Sequence, residues 1–576
     1  MTEIVAAGKL PTIPDDLSIP QFQLDHNDPN RPIRPADVPC LIADDSGKRV
    51  FLSELRERTQ GLANALSALY SIADNEVVLI FSRNHIDYPI AIWAVHRLGG
   101  IISPANPDFG RQELEYQLKA TKATLVIAHP DALKTATAAA QTTGLSHDRI
   151  LAFDVEGAST TGFVTMKAVP ERKLRPGEGK TKLAFLSFSS GTTGTPKGVA
   201  IPHIAVIANV LQLAAHGRVN EDYAPVKDRR YRPGDVALGV LPLYHIYGLV
   251  VTLFMDDPIS KLHFLLYCGL SIVIVPKFNF ENMLKSIVRH RVTHLTIVPP
   301  QAVLLCKHPA VKKYDLSVIR FIMIGAAPLS DEVNEQLFAL LPDAQIGQAY
   351  GTSPLLATLI PLDPSYGLSP ANEGSPGGAG VLIPGVTVRV LKADGTLGGY
   401  NDVGELVVKS PSNALAYYNN AQATKETFID GWVRTGDEVK ITPDGQLWVI
   451  DRIKEIMKVR GFQVAPAELE GTLLDHPDVS DACVVGIPDE YSGEVPLAFV
   501  VLSADAAARV KADPSVLKGI KASILKHVAD NKVAYKHLAG GVEFVESIPK
   551  TPSGKLLRRE LRKAAQELRK APKAKL

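Results

Sequence analysis

Cysteine is scarce in this sequence, and its spacing matches no metal or disulfide pattern. The residues Cys40, Cys268, Cys306 and Cys483 lie far apart, which predicts buried thiols in a reducing compartment. An excess of either charge is also lacking, because 62 Lys and Arg stand against 61 Asp and Glu, a net charge of +1 at pH 7. The overall charge therefore favours neither nucleic acid nor a membrane surface as a partner.

Uninterrupted hydrophobic runs and a leader pattern are missing too. The N-terminus has no basic stretch followed by an apolar one, as a secretory signal requires, and opens on a Pro-rich arm over 10–22. An apolar stretch over 236–255 approaches membrane-spanning length, but Pro242, His245 and Gly248 interrupt it. We expect a core strand and helix there, and no transmembrane segment.

Length and composition are those of a globular protein with more than one domain. The chain has 576 residues, of which 46% are hydrophobic and 21% charged. Short apolar runs such as 77–81 and 123–128 alternate with helical patterns such as 50–70 and 107–121. This alternation predicts an α/β fold with a mostly parallel sheet.

A Gly-, Ser- and Thr-rich loop is the most specific feature. The apolar run 183–188 predicts a buried strand, the loop SSGTTGTPKG follows over 189–198, and a helix is predicted next, over 204–211. Glycines let neighbouring backbone N–H groups turn toward an anion, and hydroxyls and a lysine add donors and charge. The common P-loop differs, because it needs Gly before its Lys and Ser or Thr after it. The expected phosphate ligands are Ser189, Ser190, Gly191, Thr192, Thr193, Gly194 and Lys197.

This loop resembles the phosphate loop of the AMP-forming adenylating enzymes, which include acyl-CoA synthetases, luciferases and peptide-synthetase adenylation domains. The resemblance runs from about Val50 to Leu561, and the 4-coumarate–CoA ligase type is the most similar. It implies an α/β fold: a large N-terminal domain of stacked, mostly parallel sheets with helices and a β subdomain, then a small α+β C-terminal domain. The implied ranges are 1–450 for the large domain, 451–455 for a hinge and 456–576 for the small domain with its basic tail.

Three segments resemble the family's acid pocket and adenine site. The segment LPLYHIYG implies that His245 lines the carboxylate pocket and that Tyr247 forms a wall. In QAYG, the resemblance implies that Tyr350 stacks on adenine, and that Thr352 contacts the α-phosphate. The turn GAAPL implies close approach of the acyl chain and adenine to small residues. The other residues implied by these segments are Gln348, Ala349, Gly351, Gly325, Ala326 and Ala327.

Later segments resemble the ribose site, the hinge and the catalytic-lysine loop. In GWVRTGD, Asp437 is implied to accept hydrogen bonds from both ribose hydroxyls, and Arg452 in IDRIKE to reach the ribose or phosphate. Lys454 falls at the hinge, and Lys555 in PKTPSGK is the implied catalytic lysine. The segment MKVRGFQV resembles the one that closes over acyl-AMP and the CoA arm, through Lys458, Gly461 and Gln463.

Two features depart from the family pattern. After Gly351 the family has a Glu that holds Mg²⁺ against the ATP phosphates, and this sequence continues Thr352-Ser353-Pro354 without it. The second departure is FMDDPISKL over 254–262, which breaks an otherwise apolar helix pattern. A genuine surface insertion and an error in the gene structure behind the sequence are both open explanations.

The resemblance implies ATP, Mg²⁺ and CoA as cofactors, and a small carboxylic acid, aryl or fatty, as substrate. The acid would attack the α-phosphorus of ATP, and Lys555 would bridge the carboxylate and the phosphate. The small domain would then rotate about Lys454, so that a thiol takes the acyl group from acyl-AMP. Three alternatives stay open: a catalytically impaired nucleotide-binding homologue, an adenylation enzyme with an acceptor other than CoA, and a luciferase-like oxidase.

The sequence ends in a basic tail. From Leu556 to Leu576 it has eight Lys and Arg and two Glu. Its last residues, Ala574-Lys575-Leu576, resemble the Ser-Lys-Leu peroxisomal address. We therefore expect a peroxisomal import receptor as a partner and a peroxisomal location, with the cytoplasm as the alternative.

Overall fold

The computed structural model describes residues 3–153, 168–189, 196–219, 221–244, 258–325, 331–348, 359–360, 378–459, 462–489, 492–550 and 556–570. The strands are β1 Ile4–Val5, β2 Leu41–Ala43, β3 Arg49–Val50, β4 Val77–Phe81, β5 Ile101–Ala105, β6 Leu125–Ala128, β7 Ile150–Ala152, β8 Leu183–Ser189, β9 Lys197–Pro202, β10 Val236–Gly239, β11 Ser271–Ile274, β12 His294–Ile297, β13 Phe321–Ile324, β14 Gln345–Gln348, β15 Leu359–Ile360, β16 Gly378–Leu382, β17 Thr387–Leu391, β18 Leu397–Gly398, β19 Val403–Lys409, β20 Ala416–Tyr417, β21 Phe428–Ile429, β22 Trp432–Ile441, β23 Gln446–Arg452, β24 Met457–Val459, β25 Phe462–Val464, β26 Val479–Asp489, β27 Gly493–Leu502 and β28 Gly541–Phe544.

The α-helices are α1 Leu52–Tyr70, α2 Tyr88–Arg97, α3 Arg111–Thr121, α4 Leu133–Thr143, α5 His203–His216, α6 Pro258–Tyr267, α7 Phe280–His290, α8 Pro299–Lys307, α9 Asp331–Leu340, α10 Ala421–Thr427, α11 Pro466–Leu474, α12 Ala504–Ala512, α13 Val516–Asn531 and α14 Arg558–Lys570. A π-helical turn spans Gln21–Asp25. Among the helices of the described ranges, none combines the length and the apolar character that crossing a bilayer requires.

Two mostly parallel sheets, each of seven strands, form the first part of the chain. The first sheet has the order β20-β9-β8-β5-β4-β6-β7, and the second has the order β14-β13-β12-β10-β11-β2-β3. Their parallel pairs confirm the alternation of strands and helices predicted from the sequence. The exceptions are at the sheet ends, where β3, β9 and β20 run antiparallel to their neighbours.

Two further sheets follow. The third sheet has nine strands, with β1-β17-β19-β22-β23-β16-β15 as its main path, and its pairs are antiparallel. It corresponds to the predicted β subdomain, and its strand β1 precedes the Pro-rich arm in sequence. The fourth sheet, in the C-terminal part, has the order β25-β24-β27-β26, with β28 parallel to β27.

Helix α2 shows how the large core is built. Its sequence is apolar on all sides, and every residue from Tyr88 to Arg97 is buried, as expected for a helix enclosed by other elements. Trp93 is fully buried in it. Arg97 is buried because its guanidinium pairs with Asp25 at 2.8 Å and Glu171 at 2.7 Å.

Two expectations from the sequence are corrected. Cys40, Cys268 and Cys483 are buried free thiols as predicted, but Cys306 on α8 is only half-buried. The phosphate loop is not followed directly by a helix, because β9 intervenes and pairs antiparallel with β8 before α5 begins. Val199 and Ile201 are fully buried on β9, so this apolar, β-branched stretch extends the first sheet.

Candidate active site

The predicted phosphate loop connects the two strands of a hairpin. Ser189 at the end of β8 is opposite Lys197 at the start of β9, and residues 190–195 between them lie outside the described residues. Tyr116 on α3 donates a hydrogen bond from its hydroxyl to the Pro196 carbonyl at 2.8 Å, which fixes the far end of the loop. The hairpin therefore holds both ends of the phosphate loop on one sheet.

Lys197 lies against an aromatic ring that sequence analysis missed. Strand β20 pairs with β9, with Tyr417 opposite Val199. The Lys197 ammonium lies 5.2 Å from the centroid of the Tyr417 ring, a cation–π contact. The available signal was the aromatic pair Tyr417-Tyr418 before the turn residues Asn419-Asn420, which pattern analysis does not link to a lysine about 220 residues earlier.

Asp437 and Arg452, both predicted for the ribose site, lie on adjacent strands. They are opposite each other in the β22–β23 pair, and Arg452 Nε is 3.5 Å from Asp437 Oδ1. The Asp437 side chain is only 3% exposed and that of Arg452 is 25% exposed. The Asp437 N–H donates to Thr435 Oγ1 at 3.0 Å, which stabilises the Thr-Gly-Asp segment within β22. Gly436 in this segment has φ of 73°, a left-handed conformation that glycine adopts without strain.

Tyr417 connects the phosphate side to the ribose side. Burial raises the pKa of the Tyr417 hydroxyl, while its hydrogen bond to Thr427 and the charge of Arg452 oppose this rise. The Tyr417 ring contacts Lys197 of the first sheet, while Asp437 and Arg452 pair with each other on the third sheet. Cations and a carboxylate of this kind suit a phosphorylated ribose.

The adenine and acid-pocket segments start at the carboxyl edge of the second sheet. Gln348 ends β14 and pairs with Ile324, the last residue of β13, so Gly325 follows directly beside it. In an open parallel sheet this edge is where ligands bind. Gly325 and the backbone of Gln348 are thus placed as neighbours. The predicted residues that lie outside the described ones here are His245, Tyr247, Ala326, Ala327, Ala349, Tyr350, Gly351 and Thr352.

The catalytic-lysine loop is enclosed by a β-bridge. Lys550 and Leu556 form an antiparallel bridge, and the Leu557 N–H donates to the Pro549 carbonyl at 2.9 Å. Lys555 itself lies outside the described residues. Lys550 Nζ pairs with Asp481 at 2.5 Å, which attaches the base of the loop to β26.

The predicted hinge region carries a cavity with three cations. Lys454 follows β23, and Lys458 on β24 is opposite Gln463 on β25, while Gly461 lies outside the described residues. The cavity has a volume of about 360 Å³. It is lined by Lys454, Ile456, Lys458, Gly486, Ile487, Pro488, Glu494, Arg562 and Gln566. The Lys458 N–H donates to Glu494 Oε2 at 2.9 Å, so this carboxylate positions the lysine backbone.

A buried charge network surrounds the hinge. Arg558, the first residue of α14, pairs with Glu455 and with Glu470, whose Oε2 is 2.5 Å from the guanidinium. Asp451 Oδ2 accepts a hydrogen bond from the Ala467 N–H at 3.1 Å. Burial raises the pKa of the Asp451 carboxyl, and the charge of Arg558 opposes the rise. Sequence analysis missed this network, because its members are far apart along the chain.

Comparison with known proteins gives the family. Residues 30–418 match the AMP-binding enzyme family, and residues 468–555 match the AMP-binding enzyme C-terminal domain. The chain is 34% identical to 4-coumarate–CoA ligase 2 of Oryza sativa subsp. japonica over 544 residues, which covers 91% of this chain and 89% of that one. It is also 34% identical to 4-coumarate–CoA ligase 3 of Arabidopsis thaliana, with 92% and 88% covered.

A solved structure agrees on the fold. ATP-bound MatB from Rhodopseudomonas palustris superimposes with a TM-score of 0.78 at 24% identity, and the match covers 96% of this chain and 99% of that one. Family and relatives together support ATP-dependent activation of an acid to acyl-AMP, followed by formation of a CoA thioester. The chain belongs to the AMP-binding enzyme family, within the adenylate-forming superfamily, and is of the 4-coumarate–CoA ligase-like type.

Proposed function

We propose that the protein joins an aryl carboxylic acid of the 4-coumarate kind to CoA, and that it consumes ATP with Mg²⁺ and releases AMP and pyrophosphate. The observation that carries the nucleotide part is the buried Asp437 carboxylate, paired with Arg452 at 3.5 Å. The choice of an aryl acid rests on the names of the relatives that are 34% identical along most of the chain.

In the first step, the chain's own groups bind and orient the nucleotide. Asp437 accepts from the ribose hydroxyls, and Arg452 contacts the ribose or the α-phosphate. Lys197 and the phosphate loop hold the β- and γ-phosphates, and Mg²⁺ enters with ATP as part of the substrate. The acid carboxylate attacks the α-phosphorus, an acyl-AMP mixed anhydride forms, and pyrophosphate leaves. Lys555 bridges the acid and the phosphate, while His245 and Tyr247 line the acid pocket.

In the second step, the small domain turns about Lys454 and presents the segment around Lys458 and Gln463 to the active site. The CoA thiol attacks the acyl carbon, its proton is released, and AMP leaves with the bonding electrons of the acyl–oxygen bond. The cations that line the hinge cavity are suited to a phosphate-bearing substrate. The ion pairs of Arg558 support a hinge at this position. Arg558, at the start of α14, pairs both with the hinge residue Glu455 and with Glu470 of α11.

The test is pyrophosphate release by the purified protein with ATP, Mg²⁺ and CoA, with 4-coumarate and hexanoate supplied separately. We expect release and a thioester with 4-coumarate, and loss of both in Asp437→Ala. Release that depends on hexanoate alone would move the substrate class to fatty acids. Release without a thioester would favour an acceptor other than CoA.

A second candidate function is nucleotide binding without turnover. The observation that favours it is the absence of the expected Glu after Gly351, where Thr352-Ser353-Pro354 follows instead. This candidate predicts that ATP binds, as measured by calorimetry, and that no acid elicits pyrophosphate. We place it second because Lys197, Asp437, Arg452 and Lys555 are all retained.

We also propose that residues Ala574-Lys575-Leu576 direct the protein to peroxisomes. The similarity of this tripeptide to Ser-Lys-Leu supports the proposal. A fluorescent protein that carries residues 571–576 at its C-terminus should collect in peroxisomes, and the same fusion without Leu576 should stay in the cytoplasm. Identical distributions of the two fusions would contradict it.

A further inference from the structure

Asn84 has no role in the site described so far, yet its side chain makes an unusual set of contacts. It lies in the loop between β4 and α2 and is 4% exposed. Its Nδ2 donates to the carbonyls of Leu241 at 2.8 Å, Val275 at 3.1 Å and Gly239 at 3.4 Å. Its Oδ1 accepts from the Leu243 N–H at 2.6 Å. Three carbonyls and one N–H around the amide determine its orientation.

The four backbone groups lie together at the carboxyl edge of the second sheet. Gly239 ends β10, and Val275 follows the end of β11, its neighbour in the sheet. Leu241 and Leu243 lie on the segment 240–244, which leads from β10 directly into His245. A side chain from the loop after β4 therefore holds the carboxyl edge of the second sheet and the segment that precedes His245.

The segment 240–244 is buried apart from the half-buried Pro242, so its backbone groups depend on partners within the protein. Leu241 is 5% exposed and Leu243 is 1% exposed. A buried N–H or carbonyl that loses its hydrogen-bond partner raises the free energy of the folded state. The segment then shifts until these groups find new hydrogen-bond partners. Because Leu243 is two residues before His245, such a shift would be passed on to the acid pocket.

We propose that Asn84 is a positioning residue for acid activation: it sets the path of segment 240–244, from which the chain continues into the proposed acid-pocket segment. The inference rests on the proposed function, in which His245 and Tyr247 line the acid pocket. Asn84 touches neither substrate nor nucleotide in this account. Its effect is on the placement of the carboxylate, while the binding of ATP at Asp437 and Lys197 is independent of it.

The test compares Asn84→Ala and Asn84→Ser with the matched control Asn64→Ala. Asn64 is also 4% exposed, and its Oδ1 accepts from Gln60 Nε2 and from the Val169 N–H, both at 3.0 Å, away from the second sheet. Acid-dependent pyrophosphate release gives kcat/KM for the acid, calorimetry gives the Kd for ATP, and thermal unfolding gives Tm.

We expect kcat/KM for the acid to fall by about 10²-fold in Asn84→Ala, as a displaced pocket predicts, with the Kd for ATP unchanged. Asn84→Ser keeps one donor and one acceptor and should therefore retain part of the activity. Asn64→Ala should lower Tm and leave kcat/KM unchanged. If Asn84→Ala does not fold, Asn84→Ser is compared with wild type and with Asn64→Ala in its place. The proposal is overturned if kcat/KM is unchanged, if ATP binding weakens in proportion, or if Asn64→Ala loses as much activity.

The wild-type enzyme separates this inference from the function on which it rests. If it releases no pyrophosphate with any acid, the proposed function fails and the role of Asn84 fails with it. If it is active and the Asn84 variants match the Asn64 control, only the role of Asn84 fails.

Discussion

The Asp451 carboxylate, at the end of the third sheet, accepts a hydrogen bond of 3.1 Å from the backbone N–H of Ala467, in the first turn of α11. No side chain from the local sequence caps this helix, whose N-cap residue is Ala465. The first residue of the predicted hinge thus caps a helix beyond the hinge. In the proposed rotation about Lys454, this contact belongs to one orientation of the two parts and would break as the hinge turns.

Replacing the Asp451 carboxylate should therefore have two effects. Asp451→Ala should lower the free energy of unfolding by about 1 kcal/mol, the usual value of a helix cap, as measured by urea denaturation. It should also change the ratio of acyl-AMP formation to thioester formation, because it weakens one hinge orientation. The control is Ser503→Ala, which removes the cap of α12, where Ser503 Oγ accepts from the Ala506 N–H. Equal rate ratios in the two variants would contradict a role at the hinge.

Asp451→Asn tests the same position through pH. Burial raises the pKa of the Asp451 carboxyl above 3.8, so above pH 3.8 the native state binds more protons at this group than the unfolded state. Its contribution to stability is therefore lost as pH rises through the raised pKa. Asparagine can still accept from Ala467 and does not titrate. The unfolding free energy of Asp451→Asn relative to wild type should rise with pH above 3.8 and then level off, and a flat difference would contradict this.

Asp437 is expected to decide nucleotide affinity. Asp437→Ala should raise the Kd for ATP by about 10- to 100-fold, the range for hydrogen bonds that involve a charged group. Calorimetric titration with ATP measures this directly. Asp394→Asn is a suitable control, because Asp394 is exposed in a turn of the third sheet and accepts from the Thr396 N–H at 2.9 Å. An unchanged Kd in Asp437→Ala would remove the ribose assignment.

The ring of Tyr417 should matter more than its hydroxyl. Tyr417→Phe keeps the aromatic face beside the Lys197 ammonium, whereas Tyr417→Leu removes it. A cation–π contact is worth about 0.5–2 kcal/mol, so Tyr417→Leu should raise the KM for ATP several-fold. Tyr417→Phe should stay near wild type. If the two variants behave alike, the ring contact contributes nothing to nucleotide binding.

Buried histidines predict sensitivity to acid. Burial lowers the pKa of His294 from 6.5 to about 4, and its Nε2 faces the Arg230 carbonyl at 3.0 Å. Between these values the unfolded state binds the extra proton, so stability is lost as pH falls from 6.5 toward 4. His294→Gln should flatten this part of the stability profile, whereas His147→Gln, at an exposed position, should not. Equal slopes in wild type and His294→Gln would contradict the assignment.

Local pattern was sufficient for elements whose signal is contained in a few residues. The apolar runs of β4 and β6 and the Thr-Gly-Asp segment within β22 could be recognised because each lies within one short segment. The partner of β9 could not, since β20 lies more than 200 residues later and pairing over such distances leaves no local trace. For the same reason Lys197 was expected in a loop before a helix, and it lies on a strand.

The charge network at the hinge shows the same limit. The roles of Lys454 and Lys555 are predictions from short motifs, while the contacts of Arg558 with Glu455 and Glu470 join residues about 100 and 90 positions apart. Burial of such groups depends on how sheets and helices pack, which sequence pattern does not encode residue by residue. The half-buried position of Cys306 escaped prediction in the same way.

The pairing of β1 with β17 has a consequence for synthesis on the ribosome. Ile4 and Val5 are opposite Val388 and Thr387, so β1 waits for a partner that is made about 380 residues later. At roughly 5–20 residues per second, this delay is on the order of 20–80 s. During that time strands β4 to β6 and β10 to β13 of the two parallel sheets can form around their own contacts, and β1 joins the third sheet afterwards. Strand β1 is thus synthesised long before the strand that completes its pairing.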